Sequence, residues 1–226
     1  MTLYGQGGCG VATTLVTFTL NSSGVANNAT ETSHSAGCGD TVSSGNTFTV
    51  QSMNANGSGT AGLSCGTGCG FTFNIQVSPD RSTFNLVDVS AANPLNFLAG
   101  VAINNSTAGK IVLANLARKW QVALYTQGGC GIASTLATFT LNAAGSTANA
   151  TETTHSAGCG DSTTTGNTFT VQSLNANGSG TARLTCGTGC GFTYNIQVSP
   201  DRSTMSLVDV SAANPANFQA GTGIHQ

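Results

Sequence analysis

Charge is what this chain has least of. Of its 226 residues only 6% are charged, with a net charge of −2, where an average soluble domain carries about 25%. A surface that grips nucleic acid needs a basic patch, and six Lys and Arg residues cannot supply one. Aromatics are also sparse, with 10 Phe, 3 Tyr and a single Trp, which rules out a row of base-stacking platforms. Apolar runs are short: the longest, Lys110 to Ala117 (KIVLANLA), falls well below the ~20 residues of a membrane-spanning helix. Helical periodicity is almost absent. So are a P-loop, a Gly-rich dinucleotide turn and a Gly-x-Ser-x-Gly elbow, the fingerprints of nucleotide binding and of one hydrolase class.

What is present is a duplication. Cys9, Cys38, Cys65 and Cys69 recur as Cys130, Cys159, Cys186 and Cys190, each displaced by 121 positions. Residues 1–105 align without a gap on 122–226 at roughly three quarters identity. A period of this length is a domain, far longer than the ~20–50 residues of a solenoid or propeller unit. The chain therefore reads as repeat 1 (1–105), a linker and lead-in (106–121) and repeat 2 (122–226). Met1 aligns with Val122, in the middle of an apparent strand, so residues ahead of Met1 are expected.

Strand signals recur every 8–15 residues, each closed by turn chemistry. In repeat 1 they fall at Met1 to Gln6, Thr13 to Leu20, Ala26 to His34, Thr47 to Met53, Gly59 to Cys65, Cys69 to Val77, Thr83 to Ser90 and Asn96 to Ile103. Alternation is clearest in FTFNIQV, where Phe71, Phe73, Ile75 and Val77 share one face and Thr72, Asn74 and Gln76 the other. The same pattern groups Val16 with Phe18 and Leu20, Phe48 with Val50, and Phe97 with Val101 and Ile103. Between strands, NANGSG offers Asn-Gly for a positive φ and SPDRS places Pro at the second position of a type I turn. Eight short antiparallel strands joined in sequence best fit an up-and-down barrel, which removes exposed sheet edges. The predicted fold is all-β, two tandem eight-stranded barrels, with β-sandwiches as the alternative.

Ahead of repeat 2, STAGKIVLANLARKWQVALY carries a short helical turn around Val112 to Leu116, then Trp120, Val122 and Leu124 alternating inward. A helical turn leading into a first strand with an early Trp, followed by an eight-stranded meander, resembles the lipocalin and wider calycin superfamily. That resemblance implies a cup for a small apolar ligand. The residues themselves favour a filled interior: Phe18, Phe48, Phe71, Phe73, Phe84 and Phe97 are enough to occupy a barrel this narrow.

In an up-and-down barrel Cys9 lies in the loop between the first two strands, Cys38 in the loop between the third and fourth, and Cys65 and Cys69 flank that between the fifth and sixth. All four meet at one rim. Within CGTGC, Cys65 and Cys69 face each other, with Gly66 and Gly68 supplying a permissive backbone. Cys9 then pairs with Cys38 by elimination, although four cysteines allow three pairings. Disulfides suit an oxidising exterior. The 65/69 spacing also permits a zinc knuckle, with His34 nearby, and unpaired thiols are the third state.

Reactive side chains are few: Glu31, His34, Asp40, Asp80, Arg81 and Asp88, with Glu152, His155, Asp161, Asp201, Arg202 and Asp209 as their equivalents. Glu31 and His34 stand three apart on a strand and project to opposite faces. Asp80 and Arg81 fall at a turn tip, Asp88 reads as a half-buried structural acid, and His34 as a lone histidine. Asn54 and Asn56 are neutral where a calcium loop wants carboxylates. Sequons begin at Asn21, Asn28, Asn56, Asn104, Asn105, Asn149 and Asn177, acceptors only in a secreted eukaryotic chain.

No catalytic residue, metal or cofactor is assigned. The expected function is that of a non-enzymatic secreted or cell-surface structural or adhesive protein, a subunit of a filament or surface layer. A lipocalin-like carrier of a small apolar ligand is the alternative. Self-association is expected head to tail: a notch at Met1, Leu3 and Tyr4, where repeat 1 lacks the counterpart of Trp120, receives a neighbour's tail near Ile224, His225 and Gln226.

Overall fold

Among the described residues, period-two alternation broken by Gly- and Asn-bearing turns gives sixteen strands. The computed structural model describes residues 1–66, 69–90, 97–105, 109–187, 190–211 and 217–226. They divide into two units, Met1–Ala102 and Ile103–Gln226.

Unit 1 is a closed meander of β1 (Thr2–Gly7), β2 (Gly10–Thr17), β3 (Val25–Ser35), β4 (Gly39–Met53), β5 (Ser58–Ser64), β6 (Gly70–Val77), β7 (Thr83–Asp88) and β8 (Phe97–Ile103). Each strand pairs antiparallel with the next, and β8 returns to β1 through Thr2↔Val101 to Gln6↔Phe97. Unit 2 repeats the design. A 3-10 turn (Leu113–Leu116) leads into β9 (Lys119–Gly128), β10 (Gly131–Thr140), β11 (Ser146–Ser156), β12 (Gly160–Leu174), β13 (Ser179–Thr185), β14 (Gly191–Val198), β15 (Thr204–Asp209) and β16 (Phe218–His225). β9 closes this barrel between β10 and β16. The expected tandem of eight-stranded barrels is therefore the fold, and the sandwich is not.

Turn chemistry sets the registers. In the β4–β5 hairpin the Asn54 N–H donates to Ser58 O, and Gly57 takes φ +83°. In the β6–β7 turn Arg81 itself adopts φ +60°, its N–H donating to Ser78 O, while the Asp80 carboxylate accepts from the Ser82 N–H and the Ser78 hydroxyl. Those bonds hold the Asp80 pKa below the usual carboxylate value. Gly68 and the expected start of the last strand at Asn96 lie outside the described residues.

Each unit has its own core. In unit 1, Leu3, Val16, Phe48, Leu63, Phe73, Ile75 and Leu86 are buried together. Phe48 stacks on Phe18 at 4.7 Å between ring centroids, and Phe71 flanks Phe73 at 6.2 Å. In unit 2, Phe139 stacks on Phe169 at 4.6 Å, and Ile111, Leu116 and Trp120 of the lead-in join the core.

Two sequence expectations are corrected. The fourth strand starts at Gly39, not Thr47, because Ser35↔Gly39 and His34↔Asp40 continue the β3–β4 ladder right up to the turn. The inner face of β8 is Leu98, Gly100 and Ala102, with Phe97 turned outward. Leu3 of the core lies opposite Gly100, and β1 passes so close that any Cβ at Gly100 would collide with the Thr2 carbonyl. Only glycine fits there, and this fixes the parity of the whole strand.

Candidate functional site

The cysteines converge on one rim of each barrel, as short hairpin loops require. Cys9–Cys38 and Cys130–Cys159 form disulfides with Cα atoms 5.3 Å apart, and Cys65–Cys69 and Cys186–Cys190 with Cα atoms 5.1 Å apart. No cysteine is free, so the thiolate-zinc and free-thiol alternatives are set aside.

Below the rim the interior is polar. In unit 1 the buried Asn46 amide donates to Glu31 Oε2 at 3.2 Å and to Ser43 Oγ at 2.9 Å, and Ser33 Oγ donates to Glu31 Oε1. In unit 2 the Asn167 amide donates to Glu152 Oε1 at 2.8 Å and Thr164 Oγ1 at 3.0 Å. Burial raises the pKa of both carboxyls, and the Ser33 and Asn167 hydrogen bonds only partly oppose it. Unit 2 adds a hydrogen bond from the Tyr194 hydroxyl to Gln219 Oε1. Tyr194 is pushed well above its ordinary pKa, first by burial and then by the negative charges of Asp209 and Glu152. Asp88 and Asp209 face inward, their Oδ1 atoms accepting from the Ser90 and Ser211 N–H groups at 2.8 Å.

The histidines are not lone. His34 Nδ1 bonds Asp40 Oδ1, and His155 Nδ1 bonds Asp161 Oδ1. The symmetric register His34↔Asp40 across the tight β3–β4 turn produces this pair. An i, i+6 spacing around a Cys-bearing turn is the signal that could have revealed it. On the outer wall of unit 2, Ser134 lies opposite His155 and His155 opposite Asp161. This row borders a shallow groove of about 590 Å³ lined by Tyr125, Leu136, Thr153 and Thr163. His155 and Asp161 stand in solvent, and ladder N–H groups run along the sheet, where they cannot converge on an oxyanion. Such a wall can hydrogen-bond hydroxyl and amide groups. Among the described residues, no group of three or more His, Cys, Asp or Glu is placed to hold a metal ion.

The ends opposite the rims differ. In unit 2 the lead-in seals the barrel: the Trp120 indole N–H donates to Leu116 O at 3.0 Å, and the Ile111 N–H donates to Ala176 O at 3.0 Å. Phe139, Leu141, Val171, Val198 and Met205 are buried beneath it. In unit 1 their equivalents Phe18, Val50, Val77 and Phe84 are only half-buried. Leu20 is 37% exposed against 2% for Leu141.

No family model matches this chain, and no curated protein matches it. Among solved structures it is similar to a protein of unknown function of the DUF3598 family from Nostoc punctiforme, at 11% identity and a TM-score of 0.29, covering 100% of this chain and 94% of that one.

The expected notch is smaller than the sequence suggested. Leu3 and Tyr4 are paired on both sides, with Thr14 and Gly100 and with Thr13 and Ala99, so they line no opening. Met1 is tied to Val16, with hydrogen bonds of 2.8 Å in both directions. β2 ends at Thr17, and among the described residues no strand lies beside Phe18 to Leu20 on the β1 side. The tail expected to fill the notch is engaged in its own barrel: Ile224 pairs with Gln121 and His225 with Trp120, and the Gln226 N–H donates to Lys119 O at 2.9 Å.

Proposed function

We propose that this chain is a non-enzymatic extracellular structural or adhesive protein, its disulfide-stapled barrels acting as inert beads that associate through their outer surfaces. The observation that carries this reading is where the apolar surface lies. The volume a carrier keeps open is taken up by the protein's own Phe18–Phe48–Phe84 series in unit 1 and Phe139–Phe169–Tyr194 series in unit 2. Apolar side chains instead stand outside, with Tyr125, Ile132 and Leu136 about half exposed on one wall of unit 2. An exposed apolar group of this kind, rimmed by Thr and Ser, fits a contact surface.

Four disulfides in a chain of this size fit an oxidising compartment. Staples add resistance to unfolding and proteolysis, which an exposed bead requires. No helix among the described residues is long and apolar enough to cross a membrane.

Electron microscopy and light scattering of the purified, oxidised chain test the reading. Filaments or sheets that disperse when Leu136 is changed to Asp are expected. A strictly monomeric chain that takes up one apolar fluorophore per barrel, in competition with fatty acid, would instead support the lipocalin-like carrier.

A further inference from the structure

In an antiparallel sheet, residues that stand opposite one another on successive strands share a face and form a row across it. One such row on the outer wall of unit 2 is Tyr125, Ser134, His155 and Asp161, fixed by the registers Ser134↔Tyr125, Ser134↔His155 and His155↔Asp161. Three inter-strand steps of about 4.8 Å stretch it over roughly 14 Å. Tyr125 is 55% exposed, and the His155 and Asp161 side chains are 78% and 81% exposed. Beside it runs a second row, Leu136, Thr153 and Thr163. The groove of about 590 Å³ lies over both rows, and its lining comes wholly from Ala123 to Thr163.

The chemistry of this lining suits hydroxyl groups carried on an apolar frame. Tyr125 offers an aromatic ring at one end of the row, and the negative face of such a ring attracts the polarised C–H groups of a sugar. At the other end the bond from His155 Nδ1 to Asp161 Oδ1 holds both side chains in place across the turn. It leaves His155 Nε2 and Asp161 Oδ2 for a ligand, and with a neutral imidazole both are acceptors for neighbouring sugar hydroxyls. Ser134, Thr153 and Thr163 add hydroxyls that donate or accept. Charge then decides between classes of glycan. Among the described residues that line the groove there is no Lys, Arg or Glu, and its one carboxylate is already bonded to its one imidazole. A sulfated or uronate-bearing chain would meet Asp161 with no cation but His155 to offset it, whereas a neutral chain meets no opposing charge.

We infer that this wall of unit 2 is a binding site for a neutral polysaccharide, whose sugar rings lie along the row from Tyr125 to Asp161. The site rests on the protein being adhesive, and it names the chemistry of what is adhered to. A row of roughly 14 Å takes more than one sugar ring, so an oligosaccharide binds where a monosaccharide does not. Unit 1 has the equivalent row in Tyr4, Thr13, His34 and Asp40, but there Thr13 and His34 are buried. One site per chain follows.

The probes are insoluble cellulose, chitin, xylan and mannan, their soluble oligosaccharides, and heparin and polygalacturonate as anionic controls. The full oxidised chain is assayed for retention, its affinity by titration calorimetry and the position of binding by backbone amide NMR shifts. Retention on at least one neutral polysaccharide is expected, released by its own oligosaccharide, at one site per chain and unchanged by added salt. Tyr125→Ala should weaken binding at least about tenfold, while Tyr125→Phe, which keeps the ring, should stay within about threefold of the parent. Both variants change an exposed position, so their melting should match the parent's. No retention on any of the four neutral polymers overturns the site. So does binding only to the anionic polymers, an unchanged affinity in Tyr125→Ala, or NMR shifts that lie outside Ala123 to Thr163. Filaments that disperse on Leu136→Asp but bind no glycan overturn the site and leave the adhesive reading in place; a monomer that binds glycan upholds the site without self-association.

Discussion

Replacing Leu141 and Leu20 separately by Ala puts the same substitution in the same seat of two barrels that differ in cover. Leu141 is 2% exposed within the sealed core of unit 2, so its truncation loses transfer energy and leaves a closed cavity. The cost should be about 3 kcal/mol, within the usual 2–5 for Leu→Ala. Leu20 is 37% exposed with water already at its side. Its truncation leaves no enclosed void and should cost less than about 1 kcal/mol. At roughly 4 °C per kcal/mol for domains of this size, the melting of unit 2 should drop by about 12 °C and that of unit 1 by less than about 4 °C. Trp120, the single Trp, reports unit 2 alone by fluorescence, and calorimetry follows both units. Equal shifts for the two variants would refute the claim that the lead-in makes the difference.

Non-reducing peptide mapping should recover the four pairs Cys9–Cys38, Cys65–Cys69, Cys130–Cys159 and Cys186–Cys190. Removing Cys9–Cys38, which spans 29 positions, should cost about 3–4 kcal/mol by loop entropy, and removing Cys65–Cys69, which spans 4, about 2; denaturant titration of the double Ala variants checks the ranking. Phe73→Ala, at a fully buried position, should cost about 3–5 kcal/mol in the same titration. For Glu152 the folded pKa is raised above 4.5 by burial. Its protonated form therefore suits the fold, and the associated stability is present below about pH 4.5 and lost as pH rises through the folded value. Glu152→Gln should accordingly gain stability relative to the parent as pH rises from about 4 to about 8; a melting series with no such trend would refute the buried-acid assignment.

The fold was legible because its signals are local. Alternation in FTFNIQV, the turns NANGSG and SPDRS, and a repeat that returns every cysteine at one spacing point to the same eight-strand meander. What escaped was set by neighbours distant in sequence. The parity of β8 depends on Gly100 meeting the β1 backbone, and Phe97, a better hydrophobe than Ala102, is the one left outside. The pairing of His34 with Asp40 needed the β3–β4 register, which the run Asp40 to Ser44 conceals because its one apolar residue, the exposed Val42, gives no alternation to read. Tyr194 and Gln219 looked unrelated in sequence, being 25 residues apart, but they stand where unit 1 has Phe73 and Leu98.

That last exchange bears on what the barrels are for. The Tyr194–Gln219 hydrogen bond replaces the apolar Phe73–Leu98 pair as a unit, since a Tyr hydroxyl buried beside Leu would go unpaired. The deep interior thus changes polarity between copies, as packing tolerates and as a shared apolar ligand would not. The cysteines, the His–Asp pair and the Glu31–Asn46 pair are the same residues in both, though His34 is buried where His155 is exposed. The far end is the same too, with Leu20, Gly24 and Gly57 for Leu141, Gly145 and Gly178, even in unit 1, where nothing in the described structure covers it. Leu20, 37% exposed, contributes little to the stability of unit 1, whereas Phe18 is held by its stack on Phe48. In copies that differ at roughly a quarter of their positions, exposed apolar residues with no partner are free to become polar. That Leu20 remains apolar, over two unchanged hairpin glycines, is what a contact surface requires and what an idle end of a barrel does not.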